Sequence, residues 1–265
     1  MSSVQKSTKG ISEKKKLCVK EVKVTNQFKK MMQETLDATR KVLFQRQVDL
    51  SVQGWNDEKQ EEFQGIFGVK GTAVITIDSK EEKEKIKEAD TETAFDPYIE
   101  KRTGITAYQF MKESVDRLIL IAEKITVEDP NDIESRLHGN FVNKTDRNDA
   151  SANVTADQTY LLNPVFYNST LRINICQNFV CKPLTGKNSR VSTLCHELSH
   201  FYRNGAQGEY GGMGTDDMPT KGGFNNNKSY VKNADALKIE HSQYVFKNAY
   251  NVERYFELTS VSEDV

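Results

Sequence analysis

Thr193-Leu194-Cys195-His196-Glu197-Leu198-Ser199-His200-Phe201 is the run on which the rest of the chain depends. On a helix, residues four apart lie one above the other, so His196 and His200 present two imidazoles to a single ion, with Glu197 beside that face. This is the H-E-x-x-H arrangement, in which two histidines hold Zn²⁺ and the glutamate takes a proton from a zinc-bound water. The chain has 4 histidines, so roughly 0.005 such strings are expected by chance, and the metal-site reading is preferred over coincidence.

Outward from this run, Ser189 is placed to cap the helix, Val191, Leu194, Leu198 and Phe201 form its buried stripe, and Asn204-Gly205 supply its stop. Upstream, Leu171, Ile173 and Ile175 alternate with Arg172 and Asn174, which predicts a strand with one covered face, and residues 160–162 predict a shorter one. Helical spacing of Phe28, Met31, Met32, Leu36, Val42 and Leu43 predicts a long amphipathic helix from residue 26 to about 50. A second runs over residues 107–125 with Phe110, Met111, Val115, Leu118 and Ala122 on one stripe. Trp55 and residues 63–67 add aromatic core ending at Gly68, residues 71–77 read as a β-rich run, and residues 79–90 as a solvated charged segment. Residues 131–157 are rich in Asn and Asp and read as loops. A strand leading through a loop into the H-E-x-x-H helix is a zinc-protease layout. The expected fold is therefore α+β and zincin-like, helix-rich with a small, mostly antiparallel sheet.

At 265 residues with a formal net charge of -1, the chain can bury one substantial core and carries no bias toward nucleic acid or an anionic membrane. The expected organisation is a lysine-rich tail over residues 1–25 and one domain over 26–265. No stretch is apolar and long enough to span a bilayer, and the N-terminal residues lack a secretory signal pattern. The expectation is a monomer exported by a route that needs no such signal, with a cytoplasmic place as the alternative. Cys176 and Cys181 are close enough to close a small loop or to remain buried thiols, and Cys195 reads as packing.

A catalytic zinc takes three protein ligands and leaves a position for water. A metzincin-type continuation would need Gly at 203 and His at 206, where the chain has Arg203 and Ala206. His241 and Glu240 are reachable in sequence but lack a motif. Gly214-Thr215-Asp216-Asp217 offers a glycine turn that brings a short carboxylate back to the helix, and spacing does not choose between Asp216 and Asp217.

Together these motifs resemble the aspzincin metallopeptidases, the family of deuterolysin and the peptidyl-Lys metalloendopeptidases. Residues 193–205 resemble its zinc helix, Gly214-Thr215-Asp216-Asp217 its G-T-x-D segment, and Asn233-Ala234-Asp235 the Asn-Ala-Asp that opens its last helix. Weaker similarity lies in residues 173–179 and in Ile66-Phe67-Gly68. The resemblance implies one Zn²⁺ held by His196, His200 and Asp217, with Glu197 as base in an endopeptidase acting on protein or peptide. Where the family pattern continues with Tyr-Gly, this chain has Thr220-Lys221, so Tyr210 or Tyr230 is the expected source of oxyanion stabilisation. Of two acidic residues that line the lysine pocket of lysine-specific members, the first corresponds to Asp235 and the second to Lys238. Asp235 is thus a candidate for substrate binding, but lysine specificity is not carried over. Two rival functions are a secreted effector or toxin protease with a narrow protein substrate, and a catalytically weak zinc-binding module on the same scaffold.

Overall fold

Phe28, Met32, Leu36 and Leu43 follow at intervals of four and seven and are all at most 1% exposed, so the helix they define buries a single stripe. In the computed structural model, which describes residues 21–23, 25–77, 102–128, 136–147, 150–154, 171–203, 210–217 and 229–259, this is α1, Thr25–Asp49. Thr35 and Thr39 are buried on the same stripe and satisfy their hydroxyls on the carbonyls of Met31 and Thr35. α2 (Asp57–Phe67) is capped by the Asn56 side chain and stopped by Gly68 at φ 72, a left-handed position that glycine adopts without strain. α3 (Ala107–Lys124), capped by Thr106, packs on α1. Arg40 of α1 donates to the carbonyls of Ala122 and Ile125 and so satisfies the C-terminal end of α3.

Strands β1 (Val74–Ile77) and β2 (Arg102–Thr106) form an antiparallel pair. A separate four-stranded sheet has the order β3-β4-β6-β5, from β3 (Leu137–His138), β4 (Phe141–Lys144), β5 (Ala152–Asn153) and β6 (Ile173–Cys176). β3–β4 and β5–β6 are antiparallel and β4–β6 is parallel. β6 alternates as its sequence implies, with Ile173 and Ile175 buried and Asn174 only partly so. β3, β4 and β5 lie in the stretch expected to be loops. β3 and β5, of two residues each, are too short to show a period, and the β3–β4 turn is fixed by contacts distant in sequence: the Asn140 side chain accepts from Thr126 N–H and donates to the Leu171 carbonyl.

After a turn of helix, α4 (Gln177–Val180), comes α5 (Arg190–Ser199), which packs against α1, α3 and α7 (Ala249–Tyr255). Between α5 and α7 lie α6 (Tyr230–Ile239) and a 3₁₀ turn, Gln243–Phe246. Ile239 and Phe246 do not share one continuous helix. The break comes because His241 takes φ 51, with His241 N–H on the Lys238 carbonyl and Ser242 N–H on the Leu237 carbonyl. That is a Schellman ending.

Residues 1–20, the expected short strand at 160–162, the charged segment at 79–90 and Asn204-Gly205 lie outside the described residues. Val22, inside the stretch read as a tail, is buried, and its N–H and C=O bond to Thr145 Oγ1 and Asn143 Nδ2. Cys181 is disulfide-bonded whereas Cys176 and Cys195 are in no disulfide, so the short Cys176–Cys181 loop does not form. Among the described residues no helix is long and apolar enough to cross a membrane.

Candidate metal centre

Ser189 and Ser192 form a capping box that starts α5: the Ser189 side chain accepts from Ser192 N–H and Ser192 Oγ accepts from Ser189 N–H. Val191, Leu194 and Leu198 are fully buried, each contributing about 1.5–3 kcal/mol of apolar burial. The opposite side of the last turn carries His196 and Glu197, and His200 is the C-cap. α5 ends at Ser199, ahead of the expected Asn204-Gly205. The carbonyls of Ser199 and Phe201 are taken by the N–H groups of Gly212, Met213, Gly214 and Thr215 instead of by further helix.

That returning segment delivers Asp217. Its Oδ1 lies 3.0 Å from His196 Nε2 and 3.7 Å from His200 Nε2. Ligand atoms of the three residues lie within 4.8 Å of one another. Asp217 is half-exposed as a residue, yet Oδ1 itself is buried, an acceptor aimed between the two imidazoles. The other edge of each ring is anchored. His200 Nδ1 is 3.0 Å from the Thr215 carbonyl, which can only accept, so Nδ1 carries the hydrogen and Nε2 of the neutral ring offers its lone pair inward. His196 Nδ1 is 3.2 Å from Glu253 Oε2. Two oriented imidazole nitrogens and one carboxylate oxygen are a three-donor set that fits a divalent ion such as zinc.

Electrostatics agree with that fit. Burial would lower the His196 pKa, but bonding to Asp217 and Glu253 reverses this and raises it well above the usual imidazole range. Burial, followed by the neighbouring His196 charge, lowers that of His200. Asp217 and Glu253 are held below the ordinary carboxylate range, burial being outweighed by His196. The pull that would retain a proton on His196 is the pull that would favour a cation between these groups. Glu197, 4% exposed, is pushed up to about 7, chiefly by burial.

Glu253 and Tyr250 had no place in the sequence reading. Glu253 Oε1 accepts from Ser192 Oγ at 3.2 Å and Thr193 Oγ1 at 3.3 Å, with Lys182 Nζ at 3.9 Å. The Tyr250 ring meets His196 edge to face at 4.8 Å between centroids and stacks on Tyr230 at 5.4 Å. The available signal was a second Asn-Ala pair. Asn248 caps α7, the last helix described, whereas Asn233-Ala234-Asp235 sits inside α6, which Ser229 caps. The motif expected to open the last helix thus lies in the one before it.

The centre opens into a cleft of about 1290 Å³, whose walls include Asn153 of β5, Tyr230 and Asp235 of α6, and Tyr250 of α7. Of the expected phenols, Tyr230 lines this cleft and Tyr210 does not. Asp235 lines it too, but its Oδ1 is 2.7 Å from Arg254 Nη2. The other third-ligand candidates lie elsewhere. His241 Nδ1 bonds the Gly68 carbonyl and Glu240 is exposed outside the cleft lining. Asp216 spends its backbone on Lys247 and Ala249.

No family model and no curated protein matches this sequence. Among solved structures, the chain is similar to one described as a zinc peptidase from Grifola frondosa, at 17% identity and a TM-score of 0.29, over 76% of this chain and 96% of that one.

Proposed function

We propose that this chain is a zinc-dependent endopeptidase of the aspzincin type. The observation that carries the reading is the convergence of His196 Nε2, His200 Nε2 and Asp217 Oδ1 at the floor of a cleft lined by Glu197. When bound there, zinc would act as a Lewis acid toward a peptide carbonyl and lower the pKa of water.

The chain's own groups supply the rest. Glu197, buried beside His196 and lining the cleft, is placed to accept a proton from the attacking water and return it to the leaving amine. His196 and His200 are kept in one orientation by Glu253 and the Thr215 carbonyl, so the donor set is prearranged. Tyr230, with Tyr250 stacked on it, supplies phenol donors on the cleft wall for a developing oxyanion. β5, the edge of its sheet among the described residues, runs along the cleft, where an extended peptide would add as a further strand.

The test is Glu197→Gln. Cleavage of denatured protein is expected to fall about 100-fold or more, with stoichiometric zinc retained by elemental analysis. A variant that cleaves like the parent, or a parent whose cleavage is insensitive to a chelator, refutes the proposal.

A further inference from the structure

The wall of the cleft formed by α6 and α7 carries charges whose partners differ. Asp235 and Lys238 lie three apart on α6, and Arg254 lies one turn along α7 from Tyr250, about 6 Å by helical rise. Because Tyr250 rests on His196, this wall begins beside the metal centre. Its carboxylates are already engaged. Asp235 is ion-paired to Arg254 at 2.7 Å, Glu253 accepts from Ser192 and Thr193 and abuts His196, and Glu257 accepts from Asn188 N–H at 2.7 Å. Lys238 is different: it lines the same cleft and has no carboxylate partner among the described residues. Arg254 has five N–H donors and is seen to give Asp235 only one of its nitrogens.

We propose, resting on the peptidase reading above, that Lys238 and Arg254 form a subsite selecting substrates with an Asp or Glu side chain near the scissile bond. Arg254 does two things there. It occupies the carboxylate that a basic substrate side chain would need, and it leaves further donors for an acidic one. A substrate lysine entering this wall meets Lys238 and a neutralised Asp235, so it gains nothing and is repelled. A substrate carboxylate meets the Lys238 ammonium and a guanidinium fixed by its ion pair.

The experiment uses synthetic peptides, uncharged apart from Glu, Ala or Lys at one position scanned across the centre. Binding to Glu197→Gln protein is followed by fluorescence anisotropy, and cleavage by the parent as kcat/KM. At the favoured position, Glu peptides are expected to bind about tenfold more tightly than Lys peptides, and to be cleaved about tenfold faster, the scale of one well-placed ion pair with its opposing repulsion. Lys238→Glu is expected to invert the Glu-to-Lys ratio, and Arg254→Gln, which frees Asp235, to move it the same way. A ratio near one or favouring Lys at every position, or a ratio unmoved by either variant, overturns the subsite. Binding selectivity without cleavage would refute the peptidase reading and keep the subsite. Cleavage without charge preference would do the reverse.

Discussion

Glu253 shows how much of the centre depends on a residue outside the three-donor set. It is buried, and its two oxygens together reach His196, Ser192 and Thr193, so one carboxylate orients a ligand ring and ties it to the capping turn of α5. Glu253→Gln keeps the shape but removes the charge that holds Nδ1 as a donor. Zinc affinity is expected to fall about 10- to 100-fold, read by competition with a chromophoric chelator, while the folded fraction by circular dichroism stays at the parent level. An unchanged affinity would mean that the ring is held without the charge of Glu253. His196, Glu197 and His200 were legible because four-residue spacing is a local property of a helix. Asp217 was narrowed to a pair of aspartates by its glycine turn and singled out only by resemblance. Glu253 was not legible, since it lies 57 residues from His196 and meets it only once α7 has packed on α5.

Among the elements, the decisive one is the return segment that follows α5, because it carries Asp217 without being a helix or a named strand. It is stitched by four backbone bonds to the carbonyls of Ser199 and Phe201. Gly212 makes the approach close enough: a Cβ there would run into the carbonyl oxygens of Leu198 and Phe201. Arg117 of α3 reinforces the contact by donating to the Gly212 carbonyl at 2.9 Å. Gly212→Ala should push the segment off the end of α5 and carry Asp217 away from the imidazoles. The expected outcome is destabilisation of about 1–3 kcal/mol from overpacking together with loss of high-affinity zinc binding. Normal zinc affinity in that variant would show that Asp217 is placed by contacts beyond this segment. Element lengths also explain what the sequence could and could not reveal. α1 and α3 run 25 and 18 residues, long enough for several turns of periodic burial, and their bounds agree with the pattern to within a residue or two. β3 and β5 have two residues each, below any period, and the break at His241 depends on backbone bonds that composition does not encode.

For the whole molecule, the question is what holds α7 against α5 so that Glu253 and Tyr250 arrive at the centre. One end of α7 is fixed by the centre itself. The other is fixed by Arg46 of α1, which is 2% exposed and donates from Nε to the Tyr255 carbonyl at 2.6 Å, from Nη1 to Asp49 at 2.9 Å and from Nη2 to Glu62 of α2 at 2.7 Å. Its guanidinium also stacks over the Tyr255 ring at 4.2 Å. α1, α2 and α7 therefore meet on one cation. Arg46→Met fills the space with an apolar chain, leaves Asp49 with only Gln45 and Lys59 as partners and leaves the Tyr255 carbonyl without the Arg46 donor, and unfolding free energy is expected to drop by about 1–3 kcal/mol at pH 7, read from the denaturant midpoint. The penalty should also depend on pH, with a definite sign. Burial raises the Glu62 pKa, but the Arg46 hydrogen bond and charge outweigh it, leaving the folded value below the usual 4.5. The stabilisation it contributes is then present in full above that usual value and is lost as the pH falls through the lower folded one. Parent and variant stabilities should consequently converge on acidification from pH 5 toward pH 3, because both lose the Lys59–Glu62 pair and the parent loses the Arg46–Glu62 pair in addition. A gap that stays constant over that interval would assign the role of Arg46 to its stacking on Tyr255 and its bond to the Tyr255 carbonyl, neither of which titrates there.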